Sequence, residues 1–360
     1  MKNPLFILIL SVFSFYIFSC TREIHHFEYN QVVDGKYDSE FPVKPTSQKL
    51  IEILESVRLI SILTFYESYD FTEASKITAR MLTGKLIKEQ ASVRYSYERP
   101  STGSATIVYN RDDRIALLTC AHIVDFPDTI ITYHKDSFGK ETPYIQNVSI
   151  KLRQNNNLID LPELRDFRIL TVDRSKDLAL IGREVPAGSS FSMRRDLSAN
   201  VKQPIPVINC KLGLSVELNW GCFVYMIGYP RAKKMISTAV VSSPNYDQRY
   251  SFLLDGSLQR GISGGLVLAI RDGVPNFELV GITNAVSSET QYFLQPEKDF
   301  DLSDWDLSRP YSGEIYARAY KSIYYGITYA IGIESILDFI RSREGILSAL
   351  GYEVGWFFKE

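Results

Sequence analysis

The chain has 360 residues, 45% of them hydrophobic, enough to bury one large core or two moderate ones, so it is read as globular. A formal net charge of −2 supplies no basic field to recruit nucleic acid or an anionic membrane surface, so no nucleic-acid partner is expected. Four cysteines without a Cys-x-x-Cys pair, and no His-Glu-x-x-His element, give no metal motif; no metal and no cofactor are expected.

After Lys2 the segment PLFILILSVFSFYIFSC is almost wholly apolar from Pro4 to Ser19 and ends at Cys20. It is short for a membrane-crossing helix, which takes about 20 residues, and residues 1–20 fit a secretory signal. Ile17-Phe18-Ser19-Cys20 resembles the lipobox of bacterial lipoproteins. That resemblance implies diacylation of Cys20 and an exported protein held at the membrane of a bacterial cell envelope. Phe18 departs from the small residue usual there, and an ordinary signal peptide or an uncleaved anchor are the alternatives. Export permits disulfides, but Cys120, Cys210 and Cys222 are odd in number; Cys210 and Cys222 either pair across a hairpin or are single buried thiols.

Residues 21–46 are polar, carry Pro42 and Pro45, and read as a tether in which His25 and His26 are solvated. Leu50, Ile51, Leu54, Val57 and Ile60 recur at helical spacing and predict a helix over 47–65. Asp70 and Glu73 in capping-box spacing, with Gly84 as a stop, predict a second helix over 71–83. Residues 47–89 are therefore expected to be an N-terminal helical extension. From about residue 91 short β-rich runs follow, among them SATIVYN, RIALLTC, DLALIGR, CFVYMIGYP, GLVLAI and FELVGITNA, separated by turn residues. Many short strands without intervening helices imply β-barrels or a sandwich. The basic run Arg231, Lys233, Lys234 reads as a solvated loop, and Ile333, Ile336, Leu337 and Ile340 mark an amphipathic C-terminal helix.

The stretch DGSLQRGISGGLVLAI sets Ser263 between glycines just before an apolar strand. Glycines there are either a plain turn or a way to bring backbone N–H groups close to a substrate carbonyl. A serine hydroxyl is a weak nucleophile and needs a base, itself oriented by a carboxylate. Of the four histidines, two lie in the tether and His134 in a polar turn, whereas His122 directly follows the apolar strand ALLTC. Asp177 stands at the mouth of the strand LALIG. Taken singly, His122 is a satisfied core histidine and Asp177 a strand-capping residue. Together with Ser263 they offer a nucleophile, a base and an orienting acid.

LLTCAHIV, DLALIG and GISGGLV resemble the three catalytic blocks of the trypsin-like, chymotrypsin-fold serine proteases, and most closely the protease domain of the bacterial HtrA/Deg branch. GSATIVYNRDDRIALLTCAHIV is similar to the first hairpin of that branch, NWGCFVYMIGYP to its Gly-x-x-Val-x-x-Ile-Gly-x-Pro strand, and GITYAIGIESILDFI to its last strand and closing helix. The resemblance runs in order over residues 90–345. It implies an all-β, chymotrypsin-like double six-stranded β-barrel, with barrel one at about 90–190, barrel two at about 200–332, a closing helix at 333–345 and a tail at 346–360. It further implies a cofactor-independent serine endopeptidase acting on protein or peptide substrates. Ser263 would be the nucleophile, His122 the general base and Asp177 its orienting acid, with the N–H groups of Gly261 and Ser263 as the oxyanion hole. Thr119 and Ala121 would support the histidine turn. Ser257 would lie at the base of the specificity pocket, with Asn284, Ala285 and Val286 along one wall. With no acid at that base, a small or medium apolar residue is expected before the scissile bond.

Ile262 departs from the resemblance, standing where trypsins have an aspartate that pairs with a freed N-terminus and HtrA proteins usually have asparagine. Trypsin-style activation is therefore not expected, and the loop around Ser263 must be held another way. Leu266 replaces the usual proline, and residues 346–360 are too few for the PDZ domain of typical HtrA proteins. An extra acidic and aromatic segment at about 287–322 is expected to be a lid or exosite, or else a surface loop. A catalytically silent fold used as an envelope binding module, and an esterase or acyl transferase with the same three groups, are the competing functions. The oligomeric state is left open.

Overall fold

Alternation, not helical spacing, governs the chain after Leu54. In the computed structural model the helix there is short, α1 (Ser47–Leu54), and strand β1 (Val57–Asp70) follows it, so the helix expected over 47–65 is corrected. Ile60, Ile62, Thr64, Tyr66 and Ser68 are buried at every second position, the period of a pleated strand. The apolar residues at 50 to 60 straddle the helix and the strand and imitate one longer helix. The run RLISILTFYESY within β1 is dense in β-branched and aromatic residues that suit a sheet. The second expected helix is displaced as well. Glu73–Ser75 and Ala79–Met81 are single 3-10 turns. Gly84, read as a stop, begins helix α2 (Gly84–Gln90), because Thr83 Oγ1 accepts the Leu86 N–H at 3.2 Å and caps it.

The structure describes residues 33–359 except 43, 137, 162–165, 185–204, 248–250, 257–259, 297–307, 309–310 and 312. Gly35–Glu360 is one compact unit; of Met1–Asp34 only residues 33 and 34 are described, so Cys20, His25 and His26 lie outside the described residues. Among the described residues no helix is long and apolar enough to cross a membrane.

The fold is a double β-barrel. The first sheet contains β1, β2 (Val93–Arg111), β3 (Arg114–Cys120), β4 (Thr129–Lys135), β5 (Glu141–Leu158), β6 (Arg168–Asp173) and β7 (Leu178–Glu184), in the order β4-β5-β1-β2-β3-β7-β6. Its pairings are antiparallel, and it curls until Asn157 on β5 meets Asp166 before β6 in an isolated bridge. The second sheet contains β8 (Lys211–Leu212), β9 (Phe223–Gly228), β10 (Met235–Ser243), β11 (Ser251–Gly256), β12 (Leu266–Ile270), β13 (Phe277–Pro296) and β14 (Ile315–Gly332). Its order is β12-β9-β10-β11-β14-β13-β8, and the further pairing of β12 with β13 closes six strands into a barrel with β8 outside. Barrel one thus starts at Val57, inside the segment expected to be a helical extension, with β1 between β5 and β2.

Val224, Met226, Val241, Phe252, Leu254, Val267 and Val280 fill the second barrel, while a larger core joins Ile107 and Leu117 of the first sheet to Tyr225, Ile227 and Leu268 of the second. Helix α4 (Ile333–Ser342) buries Ile333, Ile336, Phe339 and Ile340, as its apolar spacing predicts. Helix α5 (Glu344–Ala349) continues it, and the tail docks on barrel one: Tyr352 Oη donates to the Ile115 carbonyl at 3.2 Å and Phe358 N–H to the Val108 carbonyl at 2.7 Å. Residues 37–38, expected within the tether, belong to the fold. Asp38 N–H donates to the Ile270 carbonyl and Phe223 N–H to the Asp38 carbonyl, both at 2.9 Å, stitching residues 37–38 onto the second barrel. Among the described residues of the extra segment at 287–322, β13 and β14 pair as a β-ribbon out to Pro296 and Ile315 and expose Tyr292, Phe293, Leu294 and Tyr316. Cys120, Cys210 and Cys222 are all free thiols, so the open pairing of Cys210 with Cys222 resolves to single thiols.

Candidate active site

Strand register places the first two residues of the site. Cys120 at the end of β3 pairs with Leu178 at the start of β7, which puts the next residue of one strand beside the preceding residue of the other. There Ala121 N–H donates to the Asp177 carbonyl at 3.0 Å, and the one-turn helix α3 (Ala121–Val124) carries His122. Asp177 has φ +55°, a left-handed conformation that aspartate tolerates better than most residues. Its Oδ1 accepts the His122 backbone N–H at 2.8 Å, and its Oδ2 lies 2.6 Å from His122 Nδ1. The carboxylate thus grips both backbone and ring, fixing the imidazole plane. An oxygen that can only accept, facing Nδ1, assigns the ring proton to Nδ1 and leaves Nε2 as the free base. The imidazole side chain is 46% exposed, open to a substrate from one side.

Ser263 is half-buried in the turn from Ile262 to Gly265, closed by Gly265 N–H donating to the Ile262 carbonyl at 2.7 Å. Gly264, at φ +81°, takes the third turn position, where a type II turn needs a positive φ. This turn is fastened to the strand end that carries His122. The Thr283 carbonyl accepts both the Gly264 N–H at 2.7 Å and the Cys120 thiol at 3.4 Å. Ser104 on β2 donates its N–H to the Ser263 carbonyl at 2.8 Å and accepts the Thr119 hydroxyl on its own carbonyl at 2.7 Å. The structure therefore brings together the elements of His122, Asp177 and Ser263, the first two by direct contact.

Peptide planarity orients the N–H groups beside the serine. In a trans peptide the N–H points opposite the carbonyl, so pinning one aims the other. The Arg260 carbonyl accepts the Arg231 N–H at 2.8 Å, which turns the Gly261 N–H the other way. The Ile262 carbonyl accepts the Thr283 hydroxyl and the Gly265 N–H, both at 2.7 Å, which does the same for the Ser263 N–H. Among the described residues neither N–H has a carbonyl partner. Gly261 has φ +98°, and a Cβ there would meet the Tyr229 carbonyl oxygen at 2.5 Å, so this position needs glycine twice over. Ile262, the departure noted in the sequence, is 3% exposed and packs in the core of the second barrel, its Cδ1 directed at Gly228. Burial of this apolar side chain fastens the loop to the second barrel.

Of the expected pocket residues, Ser257 lies outside the described residues. Asn284 is half-buried on β13, which also carries Ala285 and Val286. Between Thr283 and Val286 the pairing with β14 slips, a bulge of the kind that re-aims a strand beside a site. His134, read as lying in a polar turn, is half-buried on β4, its Nε2 3.0 Å from the Phe71 carbonyl.

Among the described residues, one set of metal-type donors clusters: Cys120, His122 and Asp177, with ligand atoms within 4.8 Å of one another. The carboxylate and imidazole hold each other and the thiol donates to the Thr283 carbonyl. Burial, and then the Asp177 charge, push the Cys120 thiol well above its usual range, and burial pushes Cys210 up to about 12. Both are poor nucleophiles near neutral pH. Iodoacetamide should leave them unmodified in the folded protein and alkylate them after unfolding, as read by peptide mass spectrometry; rapid native modification of Cys120 would contradict this burial.

Ser104 and Thr283 were not singled out as holders of the loop. The signal available was a polar residue at a buried strand position, as in GSATIV, without anything in the sequence to say what it touches.

No family model and no curated protein matches the chain. Among solved structures it is similar to the crystal structure of the serine endoprotease from Yersinia pestis, at 15% identity and a TM-score of 0.36, over 84% of this chain and 67% of that one.

Proposed function

We propose that the chain is a serine endopeptidase that hydrolyses peptide bonds through an acyl-enzyme. The observation that carries this reading is the two-point grip of Asp177 on His122 beside a glycine turn presenting Ser263. His122 Nε2 takes the Ser263 proton as Oγ attacks the scissile carbonyl carbon. The Gly261 and Ser263 N–H groups receive the negative charge that develops on the carbonyl oxygen, each donor worth on the order of 10²–10³ in rate. The intermediate collapses as the C–N bond breaks, and the proton on His122 passes to the departing amine. Water then attacks the acyl-enzyme, gives its proton to His122, and Ser263 leaves with that proton restored. Throughout, the Asp177 carboxylate holds the ring tautomer and balances the imidazolium. Peptides with a small or medium apolar residue before the cut are the proposed substrates. Cys20, as lipid acceptor, would hold the enzyme at the cell envelope, a part of the proposal that rests on sequence.

A fluorophosphonate should label the protein at Ser263, and labelling should vanish in Ser263→Ala and His122→Ala. A peptide library should then be cut, with Arg and Lys disfavoured before the scissile bond. Folded protein that takes no label would overturn the reading, and a labelled enzyme that cuts esters but no peptide would move it to an esterase.

A further inference from the structure

We infer that Ser104 is a positioning residue for this reaction, its hydroxyl setting the peptide that links the two oxyanion-binding N–H groups; the inference rests on the serine-hydrolase reading above. Ser104 is fully buried on β2 and lies opposite Leu59 of β1, so its backbone belongs to a rigid part of barrel one. Its Oγ accepts the Tyr229 N–H at 2.8 Å and donates to the Gly261 carbonyl at 2.9 Å. A hydroxyl has one proton, and here it is committed to Gly261, so the rotor has a single orientation.

The order of peptides along the loop gives that hydroxyl its effect. The Gly261 N–H belongs to the peptide after Arg260 and the Ser263 N–H to the peptide after Ile262; the peptide between them carries the Gly261 carbonyl. The outer two are pinned from within the second barrel, by Arg231 and by Thr283 with Gly265. The central one is pinned from barrel one, by Ser104, which also holds the next carbonyl but one, that of Ser263, through its own N–H. Gly261 is the one residue of this stretch free of a Cβ, and its neighbouring peptides can rotate at little steric expense once released. Among the described residues no other group pairs with the Gly261 carbonyl or the Tyr229 N–H. A Cβ built on Gly228 would fall 2.7 Å from Ser104 Oγ, so the packing is closed on that side, and the gap left by one oxygen is too small for a water. Without the hydroxyl, the Gly261 carbonyl and the Tyr229 N–H are both left unpaired in the interior, and rotating the central peptide is the way to relieve that.

Ser104 touches no substrate, so its loss should affect the transition state and not ground-state binding. Saturation kinetics of fluorophosphonate labelling separate the two, in wild-type protein and in Ser104→Ala. The maximal labelling rate should fall about 10- to 100-fold, a fraction of what loss of a donor gives, with the half-saturating concentration within about twofold. Ser104→Cys, close to serine in volume and a weak hydrogen-bond partner, should show the same split and serves if Ser104→Ala does not fold. A wild-type protein that takes no label overturns the serine-hydrolase reading and this inference with it. A labelled wild type whose variants keep their rate overturns the inference alone. So does a variant that loses rate and binding together as its melting transition collapses, since that marks general loosening.

Discussion

Asp177→Asn should lower turnover by about four orders of magnitude while leaving the fold and melting temperature essentially unchanged. Asparagine is nearly the same size as aspartate and is at ease at φ +55°, so the backbone has no reason to move. The loss comes from which atom faces which. Asp177 Oδ1 accepts the His122 backbone N–H, a donor that cannot change its role. In the variant the amide oxygen must stay there, which turns the NH₂ toward His122 Nδ1. Nδ1 is then forced to accept, the ring proton moves to Nε2, and the nitrogen that should take the Ser263 proton already carries one. Fluorophosphonate labelling rate and circular dichroism test this together. A variant within about tenfold of wild type would remove Asp177 from the mechanism, whatever its contact with His122.

Residue type and local order alone made part of this molecule legible. Strand alternation marked most of the sheets from residue 91 onward, whereas His122 and Asp177 taken singly had ordinary structural uses, and only the resemblance of three blocks grouped them with Ser263. Strand β1 escaped because Leu50, Leu54, Val57 and Ile60 keep helical spacing across a helix end and a strand start; only the tertiary partners β2 and β5 decide between them. Tyr37 and Asp38 escaped because Asp38 is stitched in by backbone N–H and carbonyl groups, which every residue but proline carries. Ser104 escaped because its hydroxyl acts on Gly261, 157 residues away, and a buried serine in a strand does not announce its partner. Ile262 shows the intermediate case. Its apolar character is visible in the sequence, but that it is buried in the second barrel is a fact of packing.

Gly264→Ala carries the second large expected effect, this time on stability. A Cβ at Gly264 would lie 2.1 Å from the Ser104 carbonyl oxygen, 2.7 Å from Thr119 Oγ1 and 3.1 Å from the Ser104 carbonyl carbon. Two of those atoms are backbone of β2, which cannot yield without disturbing its pairing with β1. The residue also sits at φ +81°, which an L side chain resists by about 1–2 kcal/mol on its own. Gly139, at φ +78° with no atom within 4 Å of its added Cβ, isolates that second contribution. Gly139→Ala should therefore destabilise by about 1–2 kcal/mol in urea unfolding, and Gly264→Ala by more than about 4 kcal/mol, or prevent folding. If Gly264→Ala folds, Ser104 must have moved, and with it the carbonyls of Gly261 and Ser263, so labelling at Ser263 should be lost along with stability. Equal shifts in the two variants would mean that the serine turn does not pack against β2, and Ser104 would then lose the close contact through which barrel one holds the Gly261–Ser263 loop.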